Sequence, residues 1–216
     1  EVVMKKDTRA PVLYLRSFND EVEDRSLTKY FNNASVSSKK DLSLTTPSIG
    51  FREQDALSYV FRKVGPYIAL GKPGEKIPEL GSSKIYVPDE AWQNTIRDFF
   101  EKSKLIIFRA GKTEGLKWEL RELVQTVKPQ KIIMLLPVKD EDYLSFIQWA
   151  NVIMPTAFQP EYPSSRMIIF DEKWRPSCLT QDQTLSKSFS PFLAQNGISV
   201  KETFWEKFLE HNGIRW

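Results

Sequence analysis

Cysteine and histidine are almost absent from this chain of 216 residues, which contains one of each, Cys178 and His211. A single thiol cannot form an internal disulfide, so the sequence predicts a protein of a reducing, cytoplasmic compartment. A zinc site takes about four Cys, His or carboxylate ligands, and since no usual pattern of such ligands is present, we expect no metal. A Cys–His nucleophile pair would have to join Cys178 and His211, which lie in ordinary surroundings near the C-terminus. We therefore expect any proton chemistry to belong to carboxylates.

Long apolar runs and a strong excess of one charge are also missing. No segment reaches the roughly 18 apolar residues of a membrane-spanning helix, and no signal peptide is visible. Because the chain begins with Glu1 rather than Met, we expect a processed product or a piece of a longer protein. The net charge is only +3 and the Lys and Arg residues are scattered, which argues against nucleic acid as the main partner.

A phosphate-binding loop is missing too, although residues 111–113 read Gly-Lys-Thr. The P-loop motif needs a second glycine five positions earlier, where this chain has Ile106 inside an apolar run. The stretch GKPGEK at 71–76 lacks the glycine spacing of a dinucleotide-binding fingerprint. We therefore do not expect hydrolysis of a nucleoside triphosphate by a P-loop mechanism.

What the chain does contain is a regular alternation of short apolar runs with amphipathic segments. Buried strands are predicted at 11–18, 66–71, 104–111, 131–137 and 165–171, with a shorter extended piece at Lys84–Val87. Helical spacing of apolar residues predicts helices at 51–65, 89–103, 111–125, 140–153 and 199–213. Strands that are apolar throughout and alternate with helices indicate the α/β class, with a roughly five-stranded parallel sheet covered on both faces.

We interpret the chain as one domain, 1–216, with a polar insertion at 19–50 and a helical C-terminal extension at 172–216. Parallel sheets of this kind bind ligands beyond the carboxyl ends of their strands. The loops expected at that edge begin near Ser17, Gly71, Gly111, Pro137 and Asp171.

One carboxylate lies on the helix that follows the third apolar run. At about 100° per residue, the apolar residues of this helix share one sector, and Glu119 lies at the edge of that sector. We expect Glu119 to be partly desolvated near the mouth of the sheet, where it would be close to a bound ligand. Two alternatives stay open, because the helix dipole alone favours acids near a helix N-terminus, and because Glu119 could pair with Arg121 or Lys112.

The order of these motifs resembles that of Toll/interleukin-1 receptor (TIR) domains, in particular their divergent bacterial forms, over about residues 11–171. The stretches that carry the resemblance are PVLYLRSF, GPYIALGKPGE, SKLIIFRAG, GLKWEL and KIIMLLP. In that family the first strand ends in a Ser-Phe pair, here Ser17–Phe18, and a loop like 71–83 covers the ligand cleft. A later helix carries a Trp…Glu-Leu signature whose glutamate is catalytic in the NAD-cleaving members, and Glu119 takes that position.

The resemblance implies a flavodoxin-like three-layer fold and an NAD glycohydrolase, which cleaves the nicotinamide–ribose bond of NAD as its substrate without a metal. It implies that Glu119 is catalytic and that the nucleotide is bound by a set of residues around the strand ends: Arg16, Ser17, Phe18, Gly71, Lys72, Gly74 and Trp118. It further implies self-association, a role in bacterial defence or immune signalling, and a cytosolic domain tethered to membrane helices outside this chain.

Two features depart from the family pattern. Trp118 is adjacent to Glu119, whereas the family's tryptophan precedes the glutamate by several residues, and the insertion at 19–50 is longer than the usual first loop. Two other functions therefore stay open. One is a TIR-like module that senses a nucleotide or assembles without cleaving it. The other is a nucleoside deoxyribosyltransferase-like enzyme, which shares the flavodoxin-like plan and uses a glutamate at an anomeric carbon.

Overall fold

The computed structural model describes residues 7–17, 57–58, 60–71, 83–86, 91–179 and 185–199. The strands in these ranges are β1 Val12–Leu15, β2 Tyr67–Gly71, β3 Ser83–Tyr86, β4 Leu105–Arg109, β5 Ile132–Leu135, β6 Met167–Phe170 and β7 Pro176–Cys178. The α-helices are α1 Trp92–Lys102, α2 Glu114–Thr126, α3 Asp140–Ala150 and α4 Leu185–Gln195. The backbone is also helical at Leu57, Ser58, Val60 and Phe61, just before β2.

The described strands form one mixed sheet in the order β3-β2-β1-β4-β5-β6-β7. The first five strands of this order are parallel to their neighbours, which the alternation of apolar runs and helices predicts. β6 runs antiparallel to β5, and β7 runs antiparallel to β6. The α/β class is confirmed, but the expectation of a parallel sheet of about five strands is wrong at this end.

The segment between α3 and β6 explains the reversed strand. After α3 the chain turns, and Asn151 fixes the turn because its side chain accepts from Phe158 N at 2.8 Å and donates to Phe158 O at 3.0 Å. The chain then returns to the carboxyl end of β5, where Tyr162 donates to Pro137 O at 2.6 Å and Leu136 N donates to Arg166 O at 2.8 Å. β6 therefore begins at the edge where β5 ends.

This reversal corrects one of the predicted loop positions. Because β6 is antiparallel to β5, the loop after Asp171 lies at the edge of the sheet opposite to the carboxyl ends of the parallel strands. The expectation that Asp171 borders the ligand edge is therefore wrong. The carboxyl ends of β1, β2, β4 and β5 share the expected edge.

Alternate residues of the strands contribute to two separate hydrophobic cores, as the two-residue repeat of a strand requires. The first core contains residues of β1 and of three helices, among them Leu13, Leu15, Ile96, Phe99, Leu116, Leu120, Tyr143 and Phe146. The second core contains the other residues of β1 with different helical residues, among them Val12, Tyr14, Val60, Phe61, Phe189 and Phe192. Helical residues thus pack against the sheet in both cores.

The C-terminal part differs from the predicted helical extension. After β6 a tight turn leads into β7, and Trp174 within this turn has a φ of 61° while its indole is buried in the first core. α4 follows and contains Pro191. Residues 200–213 of the predicted helix and the insertion at 19–50 lie outside the described residues. No helix in the described ranges is long and apolar enough to cross a membrane.

Candidate active site

Glu119 lies in the second turn of α2, on the side of the helix that faces the first core. The helix begins after Thr113, whose hydroxyl accepts a hydrogen bond from Leu116 N at 3.4 Å. Its buried residues are Leu116, Glu119, Leu120 and Leu123. Only 6% of the Glu119 surface is exposed, so the predicted position at the edge of the apolar sector leads to nearly full burial.

The Glu119 carboxyl group has no ion pair to compensate for this burial among the described residues. Its Oε2 atom has no hydrogen-bond partner in that part of the chain. Of the two partners considered from sequence, Lys112 forms a salt bridge with Asp142, and Arg121 is exposed. Burial raises the pKa of Glu119 to about 8, because the apolar surroundings disfavour the charged form. The carboxyl group is therefore mostly protonated at neutral pH.

Glu122, a second acid on the same helix, has a pKa shifted in the opposite direction from that of Glu119. Glu122 accepts a hydrogen bond from Arg97 Nε at 2.7 Å, and this bond lowers the pKa of the Glu122 carboxyl below its usual value. Glu122 therefore behaves as an ordinary surface acid in an ion pair, whereas Glu119 is a neutral acid in an apolar environment. A strongly shifted carboxyl group of the second kind is a recognised marker of functional sites.

The strand order places α2 beside the switch point of the sheet. β2 and β3 lie on one side of β1, whereas β4 and β5 lie on the other, so the winding direction reverses between β1 and β4. Open α/β sheets bind ligands in the crevice outside the carboxyl ends of the strands at such a point. Here those ends carry Arg16 and Ser17 after β1, and Arg109 and Ala110 at the end of β4. α2 follows directly after β4.

Side chains at this switch point are buried although several are polar. The exposed fractions are 7% for Arg16, 4% for Ser17 and 6% for Arg109. Arg16 and Ser17 directly follow the last residue of β1, at the strand end where the sequence predicts them. Arg109 was not among the predicted site residues. The only sequence signal for it is the matching end of the two runs, VLYLR at 12–16 and LIIFR at 105–109.

Trp118, a predicted nucleotide contact, packs against other side chains of the protein. Its ring centroid lies 4.9 Å from that of Trp92 on α1, and the Arg97 guanidinium lies 5.2 Å from the Trp118 ring. Trp92 in turn lies over Gly115, where an added Cβ atom would be 3.7 Å from the indole. Gly115 and Glu119 are one helical turn apart. The Trp92 indole therefore packs on the same side of α2 as Glu119, one turn nearer the N-terminus of the helix.

The remaining predicted site residues are only partly described. Gly71 is the last residue of β2, at the same edge as Arg16 and Arg109. Phe18, Lys72 and Gly74 lie outside the described residues. A shallow groove of about 480 Å³ lies elsewhere, along α3, and none of its lining residues belongs to α2 or to the ends of β1 and β4.

Within the described ranges, no three His, Cys, Asp or Glu side chains come together in a way that could hold a metal ion. The buried Glu and Arg side chains of the described residues are those of Glu119, Arg16 and Arg109. In comparisons with known proteins, no family model, curated protein or solved structure matches this chain. A function has to be inferred from the chemistry of the site.

Proposed function

We propose that this chain is a TIR-like domain with a flavodoxin-like three-layer arrangement, and that it cleaves the nicotinamide–ribose bond of NAD with Glu119 as the catalytic carboxylate. The observation that carries the proposal is the state of Glu119. The residue is 6% exposed, the pKa of its carboxyl group is raised to about 8, and Oε2 has no hydrogen-bond partner among the described residues. The position of α2 after the switch-point strand β4 supports the same reading.

Cleavage of the nicotinamide–ribose bond requires few catalytic groups of the protein beyond one such carboxyl group. In NAD the nicotinamide is cationic, so when the bond between its ring nitrogen and the ribose C1′ breaks, the nitrogen keeps the electron pair and leaves neutral. The positive charge moves to the sugar, which becomes oxocarbenium-like as in glycoside hydrolysis. Water then adds to C1′ and loses a proton. A carboxylate beside the sugar stabilises the developing charge, most strongly where water is excluded.

The raised pKa fits this task because the substrate itself is a cation. In the free protein Glu119 is mostly neutral at pH 7, since its pKa is about 8. A bound nicotinamide ring brings a positive charge close to the carboxyl group and favours its ionised form. The negative charge therefore develops when the substrate is present, in a site that would otherwise keep the acid protonated.

The direct test is nicotinamide release from NAD, measured by chromatography at several protein concentrations so that self-association is covered. Glu119→Gln keeps the shape of the side chain but cannot ionise, and we expect it to lower the rate by about 100-fold or more, as for other electrostatic stabilisers of a transition state. Glu122→Gln on the same helix is the matched control, because its carboxylate pairs with Arg97, and it should retain activity.

The outcomes separate the candidate functions. Release of nicotinamide by the unmodified protein at no more than the Glu119→Gln rate, at every concentration, contradicts the hydrolase. Concentration-dependent assembly or nucleotide binding without turnover would then favour the non-enzymatic module. Base exchange on deoxynucleosides would instead favour deoxyribosyltransferase-like chemistry.

A further inference from the structure

Two buried arginines lie side by side at the switch point of the sheet. The register pairs Leu15 of β1 with Phe108 of β4, so the next residues, Arg16 and Arg109, are neighbours across the two strands. Adjacent strands lie about 4.8 Å apart. Both residues are less than 10% exposed, at 7% and 6%. Two guanidinium groups are thus concentrated where the strand order reverses.

The side of the sheet on which Arg109 lies follows from the strand alternation. Ile107, two residues before Arg109 on β4, belongs to the second core, so the Arg109 side chain leaves the strand on that face. Ala110, one residue further on, belongs to the first core with α2. The carboxyl end of β4 therefore has α2, which carries Glu119, on one face of the sheet and the Arg109 side chain on the other.

We propose that Arg109, together with Arg16, binds the diphosphate group of the ligand. This inference rests on the proposed function in one respect, namely that the ligand is a dinucleotide. A diphosphate has two linked anionic groups, and the planar fork of a guanidinium binds each of them through two parallel hydrogen bonds. The dinucleotide then crosses the carboxyl edge between β1 and β4, with one ribose directed toward α2.

The binding arm of the test uses inorganic pyrophosphate and calorimetric titration of the whole chain, and it needs no turnover. We expect Arg109→Gln to weaken pyrophosphate binding at least tenfold. Arg109→Lys keeps the charge but loses the fork, and it should weaken binding by a smaller factor. Arg121→Gln, which changes an exposed arginine of α2, is the matched control and should bind as the unmodified protein does.

The catalytic arm compares NAD with nicotinamide riboside, which has the same scissile bond and no diphosphate. We expect Arg109→Lys to raise KM for NAD and leave kcat/KM for nicotinamide riboside unchanged. An equal loss on both substrates in a folded variant, as judged by thermal denaturation, would overturn the proposal, because it would show a structural role. Absence of pyrophosphate binding by the unmodified protein, or equal binding by the Arg109 variants, would overturn it as well.

The two arms keep this inference separate from the proposed function. If the protein binds pyrophosphate through Arg109 and does not cleave NAD, the anion site stands and the hydrolase fails. If NAD is cleaved and pyrophosphate binding does not depend on Arg109, the hydrolase stands and the anion site fails. If Arg109→Gln does not fold, Arg109→Lys decides both arms.

Discussion

At the scale of single residues, Glu119 is the feature that packing alone does not explain. Burying a carboxyl group without a hydrogen-bond partner costs free energy that an apolar side chain would not. The neighbours of Glu119 on the buried side of α2 are leucines, namely Leu116, Leu120 and Leu123, so an apolar residue would suit the same position. An acid at such a position is explained most simply by a function that offsets the loss in stability.

This cost predicts a pH-dependent gain in stability for Glu119→Met, which preserves the length of the side chain. The pKa of Glu119 rises from 4.5 to about 8 on folding, so between these values the folded state keeps a proton that the unfolded state releases. Stability from this group is full below pH 4.5 and falls as the pH rises toward 8. From pH 4.5 to pH 7 the unmodified protein should therefore lose on the order of 3 kcal/mol relative to the variant.

Urea denaturation of both proteins at pH 4.5, 7 and 8.5 measures the effect. The difference in unfolding free energy should widen from the first pH to the second, widen by a smaller amount to the third, and level off above the pKa of about 8. Parallel pH profiles would show that Glu119 has an ordinary pKa, and the electrostatic basis of the proposed site would be lost.

How far the site could be predicted from sequence depends on the residue. The helical period was enough to place Glu119 at the edge of the apolar sector, but burial depends on what packs against that edge, which a single helix does not reveal. The position of Arg16 and Ser17 at a strand end could be predicted because they end an apolar run. Arg109 ends a similar run, yet its proposed role in anion binding depends on its neighbour Arg16 across the sheet. Pairing between distant strands is not visible in a local pattern.

At the scale of secondary-structure elements, α2 carries Glu119 of the proposed site, and its first turn is held by two local interactions. Thr113 caps the helix through the bond from Leu116 N, and Lys112, one residue earlier, forms its salt bridge with Asp142 of α3. Gly115 lies beside the indole of Trp92. These contacts fix where the helix begins and therefore where Glu119 lies relative to the strand ends.

The helix cap can be tested by comparing two threonines of α2. Thr113→Ala removes the hydroxyl that caps the first turn and should lower the unfolding free energy by about 1 kcal/mol. Thr126→Ala at the other end removes a hydroxyl that donates to Glu122 O at 2.8 Å on an exposed surface, and its effect should be smaller. Because the first turn precedes Glu119, Thr113→Ala should also lower NAD cleavage more than Thr126→Ala does. Equal effects of the two changes on stability would contradict the capping role.

Element prediction succeeded where periodicity was strong and failed where direction or exposure mattered. The apolar run at 165–171 does form β6. An apolar pattern does not reveal the direction of a strand, so the antiparallel direction of β6 depends on the path of residues 151–166. β7 has three exposed residues, and therefore no hydrophobic pattern marks it. α4 was missed because Pro191 lies within it, and a proline in a helix normally argues against one.

At the scale of the whole molecule, the two edges of the parallel strands have different roles. The carboxyl edge has the two buried arginines and leads into α2 with its buried acid, whereas the amino edge is closed by backbone contacts. There, Val12 N donates to Pro66 O at 2.9 Å and Lys104 N donates to Pro11 O at 2.8 Å. Arg9 adds a side-chain bond to Lys63 O at 2.8 Å. This division places tight packing away from the crevice in which we propose that the ligand binds.

The division predicts opposite effects for the same substitution at two glycines. At Gly65, on the amino edge, an added Cβ atom would overlap the carbonyl oxygen of Ala10, and since backbone cannot move aside cheaply, Gly65→Ala should cost about 3 kcal/mol. At Gly115, on α2, the added atom would lie 3.7 Å from the Trp92 ring, an ordinary contact. Alanine is the better helix former by up to about 1 kcal/mol, so Gly115→Ala should be neutral or stabilising. Urea denaturation of the two variants gives the signs, and a Gly65→Ala protein as stable as the unmodified one would contradict the close approach of the chain at the amino edge.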